Sequence, residues 1–181
     1  ELWTYVGIAL VSTVVICINI APLYSTLEEA IRISSFQVSS LITSTGFSSA
    51  NFNSWPILSK TVLMILMFIG ACAGSTGGGF KVSRMMIIIK NAAKEVRSIS
   101  HPRTIKVLTF DGKKVSNETV GSASAYLVIY VLIFAISLII ISFDKMDTVS
   151  NVTGVIATLN NIGPGLGAVG PTGNFGDYNT L

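Results

Sequence analysis

The chain alternates long apolar runs with short segments of small residues. Leu2 to Ile20, Ile57 to Ile69 and Ala123 to Ile141 are its strongest apolar runs. A helix rises 1.5 Å per residue, so about 20 residues cross a hydrocarbon core of ~30 Å. The first and third runs qualify as spans, and the second is half of one. Between the first two, Ser25 to Ser40 carries Glu28, Glu29 and Arg32 early and then becomes steadily more apolar. Thr26 followed by Glu29 makes a capping-box start, so a short helix is predicted there. It leads into Leu41-Ile-Thr-Ser-Thr-Gly-Phe-Ser-Ser49, a hydroxyl-rich stretch punctuated by Gly46. An apolar run, a short amphipathic helix, a glycine tip and a second apolar run form the pattern of a re-entrant pore loop.

Pro56 suits the first turn of the next helix, which is predicted to end near Ile69. Gly70 to Gly79 follows, with five glycines in ten residues and nothing larger than Thr or Cys. Each Gly costs a helix about 1 kcal/mol against Ala, so the run should end it. A helix resumes over Phe80 to Val96, with Val82, Met85, Met86, Ile89, Ala93 and Val96 on one stripe and Lys90, Lys94 and Arg97 on another face. His101-Pro102 breaks it, and Thr104 to Phe110, Asp111-Gly112 and Lys113 to Val115 read as a hairpin with a two-residue turn. Asn117 to Thr119 leads into a second span over Gly121 to Phe143, and Asp144 to Leu159 is a short segment with Asp147 and Ser150 as candidate caps. It ends in Thr158-Leu-Asn-Asn-Ile-Gly-Pro-Gly-Leu-Gly167, a second glycine-broken tip. An offset of 117 sets Gly46 over Gly163 and the first span over the last. Internal repeats of this kind are common in transport proteins.

The expected fold is an all-α membrane protein of repeated span, pore-helix, span units, with a glycine-broken second span and a small cytoplasmic hairpin. Residues 1–98 form one pore repeat, 99–116 the cytoplasmic loop, and 117–181 a further repeat without its final span.

Composition agrees with lipid as the solvent. Charged residues are 12% of the chain and mean hydropathy is +0.68, against about 25% charged in soluble domains. Trp3, Tyr5 and Tyr24 flank the first span as aromatic belts do. The Glu1 start lacks the basic region of a signal peptide, so that span is read as permanent. Of twelve Lys and Arg, nine fall between Lys81 and Lys114. The positive-inside rule makes 81–115 cytoplasmic and both tips outward-facing. The basic residues suit anionic headgroups or a cytoplasmic subunit, and positive-inside anchoring accounts for most of them. Cys17 and Cys72 read as packing residues. His101 is the single histidine, so no metal cluster or histidine triad can be assembled and no enzyme is expected.

Replacing an ion's hydration shell takes inward carbonyls, which Gly permits and hydroxyl residues supplement. Ser44-Thr45-Gly46-Phe47 and Asn161-Ile162-Gly163-Pro164 can each be laid beside the Thr-Val-Gly-Tyr of potassium channels. The candidate ligands are the carbonyls of Thr45, Gly46, Ile162 and Gly163; a surface turn after a helix is the plain alternative. Gly70, Gly74, Ser75, Thr76, Gly77, Gly78 and Gly79 are the candidate gate, against a tight packing kink. A nucleotide-binding loop is disfavoured, because Phe80 stands where its Lys is required.

Thr43-Ser-Thr-Gly-Phe47, the whole of Gly70 to Lys81, His101-Pro-Arg103 and Leu159 to Gly167 together resemble the third and fourth repeats of the Trk/Ktr/HKT superfamily of potassium transporters, in its bacterial TrkH branch. The resemblance implies four repeats around one ion path, with Gly46 and Gly163 in the filter and Gly70 to Gly79 as an intramembrane gating loop. It implies potassium uptake across the bacterial inner membrane by a multi-pass homodimer bound to a cytosolic nucleotide-sensing ring of the TrkA type. K⁺ is then the transported ion, no cofactor is covalently bound, and lipid rather than nucleic acid surrounds the protein. The first two repeats, the last span and its basic residue are missing from the resemblance, so the chain is expected to be a fragment that does not conduct alone. A coupled transporter of a small solute is the first rival; it would place an ionisable residue at mid-membrane, and the apolar runs hold none there, Lys60 standing at the start of the second. A non-conducting scaffold is the second, and it gives the paired tips no purpose.

Overall fold

The computed structural model describes residues 1–75, 77–100 and 108–178. Six α-helices and two minimal strand pairs make up the elements. Helix α1 (Leu2–Ile20) matches the first predicted span and is apolar all round. Ile16 and Ile20 are fully buried, while Leu10, Val11, Val14 and Ile18 are each more than half exposed. An all-round apolar helix with one face uncovered belongs against lipid or further protein. With the turn after it, α1 has a mean hydropathy of 2.3 over Leu2–Leu23, and α5 (Asn117–Ile141) reaches 2.7. Both are long and apolar enough to cross a membrane.

Helix α2 (Leu27–Ile42) begins as its capping signal predicts: Thr26 is the N-cap, and its hydroxyl accepts the Glu29 N–H at 3.2 Å. It runs two residues beyond Ser40. Helix α3 (Ile57–Phe68) starts directly after Pro56. Strands β1 (Ile69–Gly70) and β2 (Phe80–Lys81) then pair in parallel across the glycine-rich segment. Parallel partners ordinarily need a crossover of a dozen or more residues. Here the nine between close that distance because the chain crosses itself at glycine, and a Cβ on Gly70 would fall on the Gly78 carbonyl oxygen.

Helix α4 (Val82–Ser100) therefore starts two residues later than the periodicity predicts, because Phe80 and Lys81 are taken by β1, and it runs past Val96. Its expected stripe divides. Val82 and Ile87 are buried, while Ile89 and Val96 stand exposed. The hairpin appears as β3 (Thr109–Phe110) and β4 (Lys113–Lys114), closed by Asp111 and Gly112 at φ 47° and 77°. His101 to Val107, including the predicted strand start and the His101-Pro-Arg103 motif, lies outside the described residues. Helix α5 absorbs Asn117 to Thr119, which reads as a lead-in from sequence, because Ser116 caps it by accepting the Thr119 N–H at 3.2 Å.

Helix α6 (Thr148–Leu159) is capped by Asp147; Ser150 is not a second cap but the residue whose N–H and hydroxyl Asp147 accepts. One core joins both halves of the chain. Ile20, Val38, Leu41, Phe52, Leu63 and Leu66 pack in the same cluster as Ile156, Ala157, Ile162 and Leu166.

The Ser150 hydroxyl, then its N–H, hold the Asp147 carboxyl below the usual carboxylate range. A lowered native value means the cap's contribution is complete at neutral pH and is lost as pH falls through that value. Asp147 is exposed, so solvent screening keeps the pH term small. Asp147→Ala should cost roughly 1 kcal/mol by loss of the cap. Thermal unfolding in detergent should show a lower Tm at pH 7 and a smaller difference from the parent in acid.

Candidate functional site

Both glycine tips fold the same way through three matched main-chain bonds. At the end of α2 the N–H groups of Thr43, Ser44 and Thr45 donate to the carbonyls of Ser39, Leu41 and Ser40. At the end of α6 those of Asn160, Asn161 and Ile162 donate to Ile156, Thr158 and Ala157. Every one of these pairs is related by the offset of 117 that aligns Gly46 with Gly163. Left-handed backbone repeats as well: Ser44 and Asn161 have φ 57° and 50°, and Gly46 and Gly163 have φ 80° and 110°. Two residues per tip sit where L side chains are disfavoured, so each chain end is turned sharply away from its helix.

The tips touch each other. A Cβ on Gly46 would fall on the Ile162 carbonyl oxygen and lie 3.3 Å from Pro164 Cδ; one on Gly163 would lie 3.7 Å from Gly46 Cα. Amide hydrogens of Thr45, Gly46 and Ile162 are used within their own tips, Gly46 donating to Ser40 O at 3.3 Å. Among the described residues, nothing donates to the carbonyls of Thr45, Gly46, Ile162 or Gly163. The Phe47 carbonyl, by contrast, accepts the Ser40 hydroxyl at 2.6 Å. The Phe47 ring is 72% exposed. It lines a recess of about 430 Å³ together with Gly46, Gly163, Pro164 and Phe175.

The glycine-rich segment packs directly against both tips. Gly77 lies against the first, where a Cβ would be 3.5 Å from Thr43 O and 3.6 Å from Ser44 Oγ. Gly78 lies against the second, where a Cβ would fall on the Asn160 carbonyl oxygen. No larger residue fits at Gly78 without moving that tip. Gly74 and Gly79 have φ 83° and 78°. Gly70 is the crossing point described above, and Thr76 lies outside the described residues. The Lys81 side chain turns back into this loop instead of following the basic segment outward. Its Nζ donates to Ser75 O and Ser75 Oγ, both at 3.0 Å, and to Gly77 O.

Three residues matter here that are not among the candidate filter and gate residues, although Lys81 and Asn160 lie within the Gly70 to Lys81 and Leu159 to Gly167 motifs. Lys81 is one. Asn160 is the second: only 1% exposed, it donates Nδ2 to Met67 O at 2.7 Å and accepts the Tyr130 hydroxyl on Oδ1 at 3.0 Å. It thereby satisfies a carbonyl left over at the broken end of α3. Its repeat partner is Thr43, so the substitution of an amide for a hydroxyl was visible in sequence, though not what the amide reaches. Asn53 is the third, bonded to Gly167 through both ends of its amide.

Among the described residues no group of three or more His, Cys, Asp or Glu could hold a metal. The chemistry on offer is that of main-chain oxygen.

Similarity to known proteins agrees in sequence and in shape. The family described as "TrkH: Cation transport protein" matches residues 5–181. The Trk system potassium uptake protein TrkH of Vibrio parahaemolyticus is 37% identical over 80% of this chain and 29% of its own length. TrkH of Salmonella typhimurium is 32% identical over 100% of this chain and 38% of its own. The crystal structure of the potassium transporter TrkH from Vibrio parahaemolyticus superposes with a TM-score of 0.83 at 32% identity, covering 91% of this chain and 36% of that one. The chain thus spans about a third of the length of the relatives it matches. Matched by the family over residues 5–181 and by a transporter's fold at a TM-score of 0.83, the chain belongs to the TrkH cation transport protein family.

Proposed function

We propose that residues 1–181 supply two of the segments that enclose a potassium path in an uptake pore, with the carbonyls of Thr45, Gly46, Ile162 and Gly163 as ion ligands. One observation carries this reading: two tips, matched in three main-chain bonds, meet at Gly46 and Ile162 with those four carbonyls free of donors among the described residues. Carbonyl oxygens with no internal donor remain open to an ion, and a dehydrated monovalent cation is the partner that a Trk-type transporter would bring. Ser44, Phe47, Asn161 and Pro164 complete the filter segments by fixing their turns. The potassium named in the relatives is the expected cargo. Inward flow draws on a membrane potential worth about 2.3 kcal/mol per charge per 100 mV.

Gly70, Gly74, Ser75, Thr76, Gly77, Gly78 and Gly79 act as an intramembrane gate beside the filter. Its contact with Thr43 and Asn160 blocks the path, and the Lys81 ammonium holds it in that position. In the complete transporter the tips face outward, residues 81–115 face the cytoplasm, and the protein works as a homodimer under a cytosolic nucleotide-binding ring. The concentration of Lys and Arg in 81–115 supports that orientation.

Three outcomes test this reading in the complete transporter, expressed in cells that lack other potassium uptake. Gly46→Ser combines a disfavoured φ with a steric conflict against the Ile162 carbonyl, whereas Gly163→Ser meets only the φ term. Rubidium uptake should therefore be abolished in the first and reduced with weakened Rb⁺ over Na⁺ preference in the second; unchanged uptake and selectivity in both refute the filter. Lys81→Met removes charge-assisted bonds of about 1.5–3 kcal/mol and should raise maximal uptake about tenfold or more at unaltered ion preference; a fall or no change refutes the latch. In a cysteine-free background, Phe47→Cys should react with an impermeant maleimide on intact cells and Lys114→Cys only after permeabilisation; the reverse pattern inverts the orientation.

A further inference from the structure

We infer that Asn53 is a positioning residue, setting the distance between the two filter tips by fastening the return segment of the second to the first repeat. The inference rests on the filter reading above.

The segment that follows the second tip is held at almost every main-chain group. Gly165 N–H donates to Val169 O at 2.7 Å. Leu166 donates to Thr153 Oγ1 at 2.8 Å and accepts from it at 3.2 Å. Ala168 N–H donates to Ser150 Oγ at 2.8 Å. Those anchors all lie within the same repeat, on α6 or in the segment itself, and so move with the tip. Gly167 is different: its N–H donates to Asn53 Oδ1, and its carbonyl, besides the Gly170 N–H at 3.1 Å, accepts from Asn53 Nδ2, both amide bonds at 2.9 Å. Asn53 reaches from 114 residues away, out of the short turn that follows the first tip. The amide thus does for Gly167 what a neighbouring strand would do, pairing both of its backbone groups at once.

Asn53 is itself aimed before it binds. Its N–H donates to Asn51 Oδ1 at 3.1 Å, and its carbonyl accepts Lys60 Nζ at 3.3 Å. Phe52 and Trp55 on either side are buried to 1% and 3% exposure. Backbone so fixed lets the short Asn53 side chain carry position rather than mere cohesion.

Its location shows what it complements. Asn160 ties the second tip to Met67, in the last turn of α3, and Asn53 ties it to the turn just before α3. Twelve helical residues separate those points by roughly 18 Å. Among the described residues, these asparagines make the only side-chain hydrogen bonds between the two repeats around the tips. One pin at each end of α3 fixes both the separation and the tilt of the second tip. Removing Asn53 leaves each tip's internal bonding untouched and frees one end of that lever.

The repeat offset adds a second observation. Asn53 corresponds to Gly170, and these two positions face each other: a Cβ on Gly170 would fall on Asn53 Nδ2 and lie 2.9 Å from its Oδ1. Gly170 has φ −72°, so its backbone would accept a side chain. Room for the amide, not chain geometry, is what keeps the position bare. The seam between the repeats is closed from one side only, by an amide on the first and a gap on the second.

The test is a double-mutant cycle in the complete transporter, reading Rb⁺ and Na⁺ uptake and the KM and maximal rate for Rb⁺, with membrane abundance and detergent Tm as folding controls. Asn53→Ala should lower the Rb⁺:Na⁺ uptake ratio about tenfold and raise KM, with abundance near the parent's. Asn53→Asp, which sets an oxygen against the Gly167 carbonyl, should do at least as much. Gly170→Ala alone should reproduce the defect by displacing the amide. Combined with Asn53→Ala it should add nothing, since the space is then empty; coupling of that sign marks residues acting through one contact. If Asn53→Ala and Gly170→Ala leave ion preference and KM at parental values, or lower abundance alone, the positioning role is overturned. Gly46→Ser and Gly163→Ser, run alongside, separate the two failures. Should they alter uptake or selectivity while Asn53→Ala does not, the filter stands and this inference falls; should none of the four have an effect, the filter reading falls first.

Discussion

Backbone that leaves a helix in apolar surroundings has to place its N–H and C=O groups somewhere, since each one left bare costs several kcal/mol. This chain breaks its helices three times, after Ile42, after Phe68 and after Leu159. The other features of the site are solutions to that requirement. At both tips amide hydrogens are folded back onto the last helical turn, and among the described residues nothing donates to the carbonyls of Thr45, Gly46, Ile162 and Gly163. At the middle break the Asn160 amide takes the Met67 carbonyl, while β1 and β2 share a minimal ladder. Lys81 takes two more loop carbonyls. The amide hydrogens of Thr43 to Gly46 and of Asn160 to Ile162 are spent within the tips, which on the proposed reading leaves acceptors for a cation.

On the proposed reading, selectivity and gating share atoms. Gly77 and Gly78 rest on Thr43 and Asn160, the residues that begin the tips. The loop cannot swing without altering what supports the carbonyls, and the carbonyls cannot spread without pressing on the loop. Small residues are required at the interface because three pieces of backbone meet there; any Cβ at Gly46, Gly70 or Gly78 would occupy a neighbour's carbonyl oxygen. Close approach of this kind is the usual reason for small residues at helix and loop contacts in membranes. The rigidity that results is local. Helix α5 is exposed along nearly its whole length, and α4 carries Ile89, Val96 and Ile99 on its surface, so the frame around the site leaves broad apolar faces for lipid or protein.

The two repeats agree where the ion is expected and differ where they must fasten together. Every amide bond from Thr43 to Thr45 has its counterpart from Asn160 to Ile162, yet Thr43 is replaced by the pinning Asn160 and Asn53 is opposed by the bare Gly170. The proposed path, enclosed by repeats of a single chain, needs this combination. Symmetry of the ligands suits a spherical ion, while asymmetry of the seams lets a single polypeptide specify which repeat lies beside which.

The sequence alone determined the helices, the breaks and the repeat. Apolar run lengths set α1 and α5, Thr26 and Asp147 announced two helix starts, and the offset of 117 paired Gly46 with Gly163 before any coordinates. These are local or periodic signals, carried by residues close together in the chain. Only the tertiary structure decided that the tips meet at Gly46 and Ile162, that Phe80 and Lys81 leave their helix to pair with Ile69 and Gly70, and that Lys81 folds back into the loop. It also decided that Asn53 and Asn160 bridge 114 and 93 residues of chain. A single Asn or Lys has many possible partners at such separations, and nothing in its sequence neighbourhood ranks them. The choice is made by which carbonyls remain unpaired once the helices have packed.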